Sequence, residues 1–318
     1  MVKMRNVVKW SSFPSLLLCV VFVALNGFIT KGFLSWSSMG GFLQAIIPLI
    51  ILSIGESVVL LGGGIDISVG ASVSLINVIL ATMSQRGTSA EALIGIALIC
   101  GLAIGALNGL LISIVRISPL LVTFATSYII SGMALTILPT PGGSMPDSLT
   151  NFYLSNVLFV IPSAVIFLAI VYAIWLVWHL SPMSTHLYAT GNNIFKAFYS
   201  GIAVTRIQFM TYLFAGFASS IAALALTSYM GAGDARVGLP LTLNAIAACV
   251  IGGISLAGGA GNVSGAVFGS FFLGLVLTII LGLGIPTYYQ NFASGLVILI
   301  GIFTAVMAGK KGVLKPNR

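Results

Sequence analysis

The sequence predicts an all-α polytopic membrane protein, and three observations lead to this fold class. Hydrophobic residues make up 58% of the 318-residue chain and charged residues only 6%, whereas a typical soluble domain is about 25% charged. The mean hydropathy is +1.16. Apolar runs of the length that a bilayer-crossing helix needs, about 20 residues, recur along the whole chain. We therefore expect a single transmembrane domain over residues 1–318.

About ten spans are predicted, of which the eighth is the shortest. The first follows three basic residues and looks like a signal sequence, but no small-residue cleavage site follows it, so we interpret it as a retained helix. The predicted spans centre on residues 14–30, 42–61, 67–84, 92–114, 119–138, 159–179, 209–229, 243–256, 263–282 and 291–308.

The basic residues punctuate the ends of the apolar runs, which is a signal of topology rather than of nucleic-acid binding. With the N-terminus inside, ten of them fall on the cytoplasmic side and three outside. This positive-inside bias predicts that both termini are cytoplasmic. The inside set is Lys3, Arg5, Lys9, Arg116, Lys196, Arg206, Lys310, Lys311, Lys315 and Arg318, and the outside set is Lys31, Arg86 and Arg236.

Two glycine patterns suggest an internal repeat. Gly101-x3-Gly105-x3-Gly109 lies in the fourth span, and Gly261-x3-Gly265-x3-Gly269 lies in or beside the ninth. Small residues four apart allow close helix packing, which is the role we prefer for both patterns. Because the two spans are five apart, they have opposite orientations, as an inverted five-plus-five repeat would produce. Chance is the alternative in a chain with 37 glycines.

Three connections are long: residues 139–158 and 230–242, predicted outside, and residues 180–208, predicted inside. In the inside loop, Asn192 or Asn193 can cap a short helix that runs to about Ser200 and ends at Gly201. This helix carries too many apolar residues for a free loop, so it must dock. The membrane surface, a neighbouring helix end and a cytoplasmic partner protein all remain open.

No catalytic or metal-binding pattern is present. HExxH and GxSxG are absent, and Gly309-Lys310-Lys311 lacks the rest of a phosphate-binding loop. The three cysteines (Cys19, Cys100 and Cys249) lie far apart inside apolar runs and are expected to be small buried hydrophobes. We expect neither an enzyme nor a cofactor in this chain.

Four stretches together resemble the permease subunit of ribose-type sugar ABC importers, in that family's order and over about residues 40–305. The first and fourth together are the most specific. The stretches are Gly63-Gly64-Ile65-Asp66-Ile67-Ser68-Val69-Gly70, Ser118-Pro119-Leu120-Leu121-Val122-Thr123, Tyr188-Ala189-Thr190-Gly191-Asn192-Asn193 through Ser200-Gly201-Ile202, and Ala245-Ile246-Ala247-Ala248-Cys249-Val250-Ile251-Gly252-Gly253 with Ser255-Leu256-Ala257-Gly258-Gly259-Ala260-Gly261.

The resemblance implies an importer in a bacterial inner membrane, with a periplasmic binding protein, two membrane subunits and two cytoplasmic ATPases that bind ATP and Mg. It also implies that Asn192 to Ser200 form a coupling helix seated in a cleft of the ATPase. The coupling residues so assigned are Asn192, Asn193, Phe195, Lys196, Phe198, Tyr199, Ser200 and Gly201.

One position departs from the family pattern, which usually has an acid just before Ala-Ile-Ala-Ala. This chain has Asn244 there. A homodimer and a pair of diverged permeases therefore remain open. The solute is also open, among ribose, another pentose or hexose, and a furanosyl signalling molecule.

Polar residues within the spans are the candidates for a translocation path or gate. In lipid, a glycine-rich break is tolerated only where it is buried in protein or lines a cavity, and an ionisable residue there is a candidate functional group. Asp66 either caps the third helix or contacts solute, and Glu56 either pairs with Ser53 or Ser57 or lines the path. The full set is Glu56, Gly63, Gly64, Asp66, Asn77, Asn108 and Asn244.

Two alternatives concern the charged groups. Asp234 and Arg236, predicted outside, are either a solvated pair or a docking site for the binding protein. An ion-coupled secondary transporter of a small neutral solute is the second functional hypothesis, and it would depend on Glu56 and Asp66 as ion-binding groups.

Overall fold

The computed structural model describes residues 13–157 and 161–284, with isolated positions beyond them. In these ranges the chain is mostly helical. In order the elements are α1 (Phe13–Ile29), α2 (Trp36–Leu61), α3 (Val69–Gln85), α4 (Ala90–Ser113), α5 (Pro119–Ile137), α6 (Asp147–Leu154), β1 (Asn156–Val157), β2 (Ile161–Pro162), α7 (Ala164–Leu180), α8 (Met183–Asn192), α9 (Ile194–Tyr199), α10 (Val204–Met230), α11 (Leu239–Ile251) and α12 (Val263–Gly282).

Five of these helices are long and apolar enough to cross a membrane: α2, α4, α5, α10 and α12. The α7–α8 pair, bent by 85°, makes a sixth if it counts as one span. The apolar parts of α1, α3 and α11 are shorter. The first nine predicted spans each overlap one helix, and the tenth, over 291–308, lies largely outside the described residues. An all-α membrane protein is therefore confirmed, and ten spans stay a prediction.

Helices α2 and α10 form the centre of the bundle and run antiparallel. Every residue of α2 from Ile46 to Leu61 is buried, as expected for a helix that is apolar on all faces. A Cβ atom on Gly55 would meet Ala215 and Ala218, and one on Gly62 would meet Thr211. The pairing order therefore reverses along the two helices, so their C-terminal ends lie at opposite ends of the bundle.

The glycine patterns pack helices together, as predicted. A Cβ on Gly101 or Gly105 of α4 would overlap the backbone of α10. Gly269 of α12 approaches the backbone of α11 in the same way, and Gly265 approaches Gly252, the residue that follows α11, whereas Gly261 lies in the loop before α12. Each pair therefore gains contact area that any larger residue would remove.

The long connections contain more structure than the sequence analysis expected. Residues 139–158, predicted as a loop, contain α6 and β1, and β1 pairs antiparallel with β2. Residues 180–208, predicted to hold one short helix, hold α8 as well as α9. The eighth span begins earlier than predicted, at Leu239, and ends at Ile251.

Candidate functional site

The glycine break after α2 turns back into the bundle. Residues 62–68 are non-helical, and the backbone N–H of Asp66 donates to Oε1 of Glu56 at 3.2 Å. Because Glu56 lies inside α2, five residues before its end at Leu61, the chain must reverse to bring Asp66 beside it. Both carboxyl groups are buried, with Glu56 0% and Asp66 3% exposed. Of the two predicted alternatives for Glu56, pairing with Ser53 or Ser57 is wrong, because Ser57 Oγ donates to the Ile54 carbonyl and Ser53 Oγ lacks a partner. The other alternative, that Glu56 lines the path, stays a prediction.

A line of hydrogen bonds continues from Asp66 to α4. Asp66 Oδ1 accepts from the backbone N–H of Ser68 at 2.8 Å and from its hydroxyl at 2.6 Å. Asn108 Nδ2 of α4 donates to the same Ser68 hydroxyl at 2.8 Å. Asp66 thus lies at the start of α3, as predicted, but it binds the residue before the helix and not an N–H of the first turn.

Three buried oxygens around this line have no hydrogen-bond partner: Glu56 Oε2, Asn108 Oδ1 and the Tyr212 hydroxyl. The Tyr212 hydroxyl occupies the space that a Cβ on Gly64 would take, so it lies directly against the break. An unsatisfied buried polar group costs about 1–3 kcal/mol. We call Glu56, Asp66, Ser68, Asn108 and Tyr212 the buried polar cluster.

The other predicted amides lie elsewhere. Asn77 on α3 donates to Thr227 Oγ1 at 2.9 Å and accepts from the N–H of Asp234 at 2.7 Å, so it links α3 to α10 and to the loop after it. Asn244 is half-buried on α11, at a small cavity that Ile46 and Leu49 of α2 also line. The structure therefore brings Glu56, Gly64, Asp66 and Asn108 together and leaves Asn77 and Asn244 apart.

Beside the buried polar cluster, the backbones of three distant segments interlock. A Cβ on Gly191, near the end of α8, would overlap the Leu61 carbonyl oxygen and the Gly259 nitrogen. Gly191 also lies against Gly63, and the N–H of Gly259 donates to the Leu61 carbonyl at 3.1 Å. We call Leu61, Gly63, Gly191, Gly258 and Gly259 the glycine junction. Three of the four stretches that carry the family resemblance meet here, which the sequence did not reveal.

Helix α9 follows the glycine junction directly. Asn193 caps it, since its side chain accepts from the N–H of Lys196 at 2.9 Å, and Gly201 follows it with φ +79°. The cap and the end agree with prediction, although Asn192 belongs to α8 and the helix begins at Ile194. The helix buries only Ala197. It exposes Phe195, Lys196, Phe198, Tyr199 and Ser200, with Tyr199 85% exposed.

A groove of about 630 Å³ lies between α9, the α4–α5 turn and the start of α10. Its lining includes Gly63, Arg116, Phe195, Tyr199 and Gln208. One side of α9 therefore lines an open groove that reaches the glycine break.

The loop after α10 carries the remaining predicted residues. Asp234 is half-buried and Arg236 is exposed. Asp234 Oδ1 accepts from the backbone N–H of Arg236 at 2.9 Å. This bond runs from a side chain to the backbone two residues on and closes a turn within the loop.

Known proteins are similar to this chain over most of its length. The family model for the permease component of branched-chain amino acid transport systems matches residues 38–302. A probable ABC transporter permease of Sinorhizobium fredii is 35% identical over 274 residues, 85% of this chain and 81% of that protein. An autoinducer 2 import system permease of an Enterobacter strain is 31% identical, over 90% of this chain and 89% of that protein. A ribose import permease of Bacillus subtilis is 32% identical, over 92% of this chain and 91% of that protein. No solved structure gives a significant match.

The comparisons confirm the resemblance and do not favour the ion-coupled secondary transporter. The relatives are transport permeases by name, and the apolar helices fit a multi-pass membrane protein. The chain therefore belongs to the branched-chain amino acid transport system permease component family and is a membrane permease subunit of an ABC importer.

Proposed function

We propose that this chain forms the translocation path for a sugar or sugar-like solute and that a separate cytoplasmic ATPase drives it through α9. The observation that carries the proposal is the position of the glycine junction. On one side lies α9, with three exposed aromatic residues, and on the other lies the break that brings Asp66 to Glu56. ATP and Mg bind the ATPase and not this chain.

The route from the docking helix to the interior is short and made of backbone. Asn193, which caps α9, is two residues from Gly191, and Gly191 lies against Leu61 and Gly63. Close-packed backbones cannot slide independently, so a displacement of α9 is passed to the break. A ligand or partner shifts a protein only through contacts that differ between its two states, and the glycine junction supplies such contacts.

We infer that the buried polar cluster acts as a gate rather than as a solute contact. Asp66 is 3% exposed, and one of its oxygens already accepts two hydrogen bonds from Ser68. Moving the break relative to α2 and α4 would change the bonds that join it to Glu56 and to Asn108. Asn77 joins α3 to the loop after α10, at a separate place along α3.

The proposed solute is sugar-like because two of the relatives are named for ribose and for autoinducer 2. The description of the family model names branched-chain amino acids instead. If ribose suppresses solute uptake and leucine does not, the result favours a sugar over a branched-chain amino acid.

Further partners follow from the importer class. A periplasmic binding protein delivers the solute and docks at the loop with Asp234 and Arg236, of which Arg236 is exposed. A second permease completes the path, as an identical copy or as a paralogue, and Asn244 is the residue that departs from the family pattern. Both termini lie in the cytoplasm of a bacterial cell, on the same side as α9.

The proposal is tested by purifying the tagged chain from native membranes in mild detergent and identifying the co-purifying proteins by mass spectrometry. We expect a stoichiometric ATPase, and a second permease sequence would identify a heterodimer. A partner-free protein that still moves solute in liposomes would contradict the proposal.

A further inference from the structure

A short sequence pattern occurs twice, once after each central helix. Gly63-x2-Asp66-x2-Val69-Gly70 follows α2, and Gly231-x2-Asp234-x2-Val237-Gly238 follows α10, 168 residues later. This pattern is separate from the glycine patterns of the fourth and ninth spans. We call the two copies the first break and the second break.

The two breaks have the same local geometry. Each begins with a glycine of positive φ, +82° at Gly63 and +68° at Gly231. In each, the aspartate Oδ1 accepts from the N–H two residues on, at 2.8 Å from Ser68 and at 2.9 Å from Arg236. After each break a short apolar helix begins, α3 or α11.

The helices that follow the breaks hold each other by matching bonds. The N–H of Gly70 donates to Thr242 Oγ1 at 3.1 Å, and the N–H of Gly238 donates to Ser74 Oγ at 2.9 Å. Ser74 lies four residues after Gly70, and Thr242 four residues after Gly238. A Cβ on either glycine would overlap the carbonyl oxygen of the other. The contact is therefore a local two-fold arrangement in which each hydroxyl binds the opposite backbone.

The same relation extends to the surrounding helices. The starts of α2 and α10 lie 168 residues apart, those of α3 and α11 lie 170 apart, and those of α4 and α12 lie 173 apart. Because α2 and α10 are antiparallel, the first break starts at one end of the bundle and the second at the other. This is the order that an inverted repeat requires.

We propose that Ser74 and Thr242 are positioning residues for transport, each holding closed the break that belongs to the other repeat. Thr242 holds the first break, which carries Asp66, and Ser74 holds the second break, which carries Asp234. The first break faces the cytoplasm and the second faces the outside, so alternating access opens one while the other stays clasped. The transport role of this inference rests on the proposed function. The clasp, by which we mean the two reciprocal hydrogen bonds of Ser74 and Thr242, is a property of this chain alone.

The test uses thiol labelling in a background where Cys19, Cys100 and Cys249 are replaced by alanine. Ile65→Cys reports on the first break and Val237→Cys on the second, and both native side chains are half-buried. Membranes carrying the full chain are labelled with a membrane-impermeant maleimide, from the cytoplasmic side and from the outside in separate samples.

Loss of one hydroxyl should loosen only one break. Thr242→Val should raise labelling at Ile65→Cys about fivefold, the population change expected when one hydrogen bond of average net strength is lost. Labelling at Val237→Cys should stay unchanged. Ser74→Ala should do the reverse, and Thr242→Ser and Ser74→Thr, which keep the hydroxyl, should restore the original rates.

Thr82→Val and Thr278→Val are the matched controls, because their hydroxyls bond only within their own helices. An equal rise at both reporters, a rise at the wrong reporter, or no recovery with Thr242→Ser would overturn the proposal. These measurements need neither the ATPase nor solute, so they are interpretable even if the proposed function fails.

A second measurement does not depend on the stability of the hydroxyl variants. The reporter variants are used without any substitution at Ser74 or Thr242, and the ATPase is present. ATP should then change labelling at Ile65→Cys and at Val237→Cys in opposite directions. A change in the same direction at both, or at neither, would contradict alternating control by the two breaks.

Discussion

Two of the regions in which glycine brings backbones together differ in kind. Between α4 and α10, Gly101 and Gly105 lie on one regular helix and meet one regular helix. At the glycine junction, Gly63, Gly191 and Gly259 come from three segments distant in sequence, and two of them have positive φ. The first interface stabilises a fixed pair of helices. The second connects three separate segments that we propose move together, and substitutions should affect the two differently.

The largest effect is expected at the glycine junction. Gly191→Ala places a methyl group on the Leu61 carbonyl and the Gly259 nitrogen, both backbone atoms that cannot step aside. We expect solute uptake in reconstituted liposomes to fall at least about tenfold, the change that about 1.4 kcal/mol produces, which lies within the range of about 1–3 kcal/mol that overpacking usually costs.

Gly95→Ala is the matched control, because a Cβ there would meet nothing within 4 Å. Normal uptake by Gly191→Ala would show that the three segments do not transmit movement through this contact.

The docking helix in front of the glycine junction should give the next largest effect. Phe195 is 74% exposed on α9, and loss of an aromatic anchor typically costs about 2 kcal/mol of binding free energy. Phe195→Asp should therefore weaken ATPase binding about 30-fold, and Lys196→Glu should weaken it less. Phe195→Tyr, which keeps the ring, serves as the control. Intact solute uptake in both charged variants would show that α9 is not the coupling helix.

The regular interface should respond through stability and not through coupling. Gly105→Ala overlaps the Tyr212 carbonyl and the Gly216 backbone, and overpacking of this kind costs about 1–3 kcal/mol. We expect a lower unfolding temperature in detergent, with the solute moved per ATP unchanged. Gly132→Ala, in open space on α5, should leave the unfolding temperature as it is. A change in the transport ratio instead would erase the distinction between the two regions.

The smallest effect is expected from the exposed charge of Arg236 in the second break. Arg236→Glu reverses an exposed charge, and such changes at an interface rim mainly alter association rates and their salt dependence. Stimulation of ATP hydrolysis by the binding protein should fall a few-fold at low salt and recover at high salt. Arg86→Glu changes another exposed basic residue predicted to lie outside and should have no effect; equal effects from both would exclude specific docking at Arg236.

Local features of this structure could be predicted from the sequence, and long-range ones could not. The cap at Asn193 and the glycine after α9 depend on neighbouring residues, so the helix between them was predicted within a residue or two. One of the two predicted alternatives for Glu56, pairing with Ser53 or Ser57, relied on residues that are near in a helix. The actual partner of Glu56 is the N–H of Asp66, which reaches it only because the chain reverses.

Two other differences between the sequence predictions and the structure have physical causes as well. The α8 sequence, Met183 to Asn192, is polar enough to suggest a loop, yet it folds as a helix that packs on α2 and α10 and buries Leu187. The second break was missed because its relation to the first rests on four matching residues in eight. What makes them equivalent is the reciprocal bonding of Ser74 and Thr242, which exists only in three dimensions.

The reciprocal clasp has a consequence for how the chain is made. The hydroxyl that binds the Gly70 N–H belongs to Thr242, 172 residues later, and the N–H that binds the Leu61 carbonyl belongs to Gly259, 198 residues later. At a synthesis rate of about 5–20 residues per second, these partners emerge roughly 10 to 40 seconds after the first break has left the ribosome. During that interval the first half of the protein holds unpaired backbone groups inside the membrane, and biogenesis must protect them until the second half arrives.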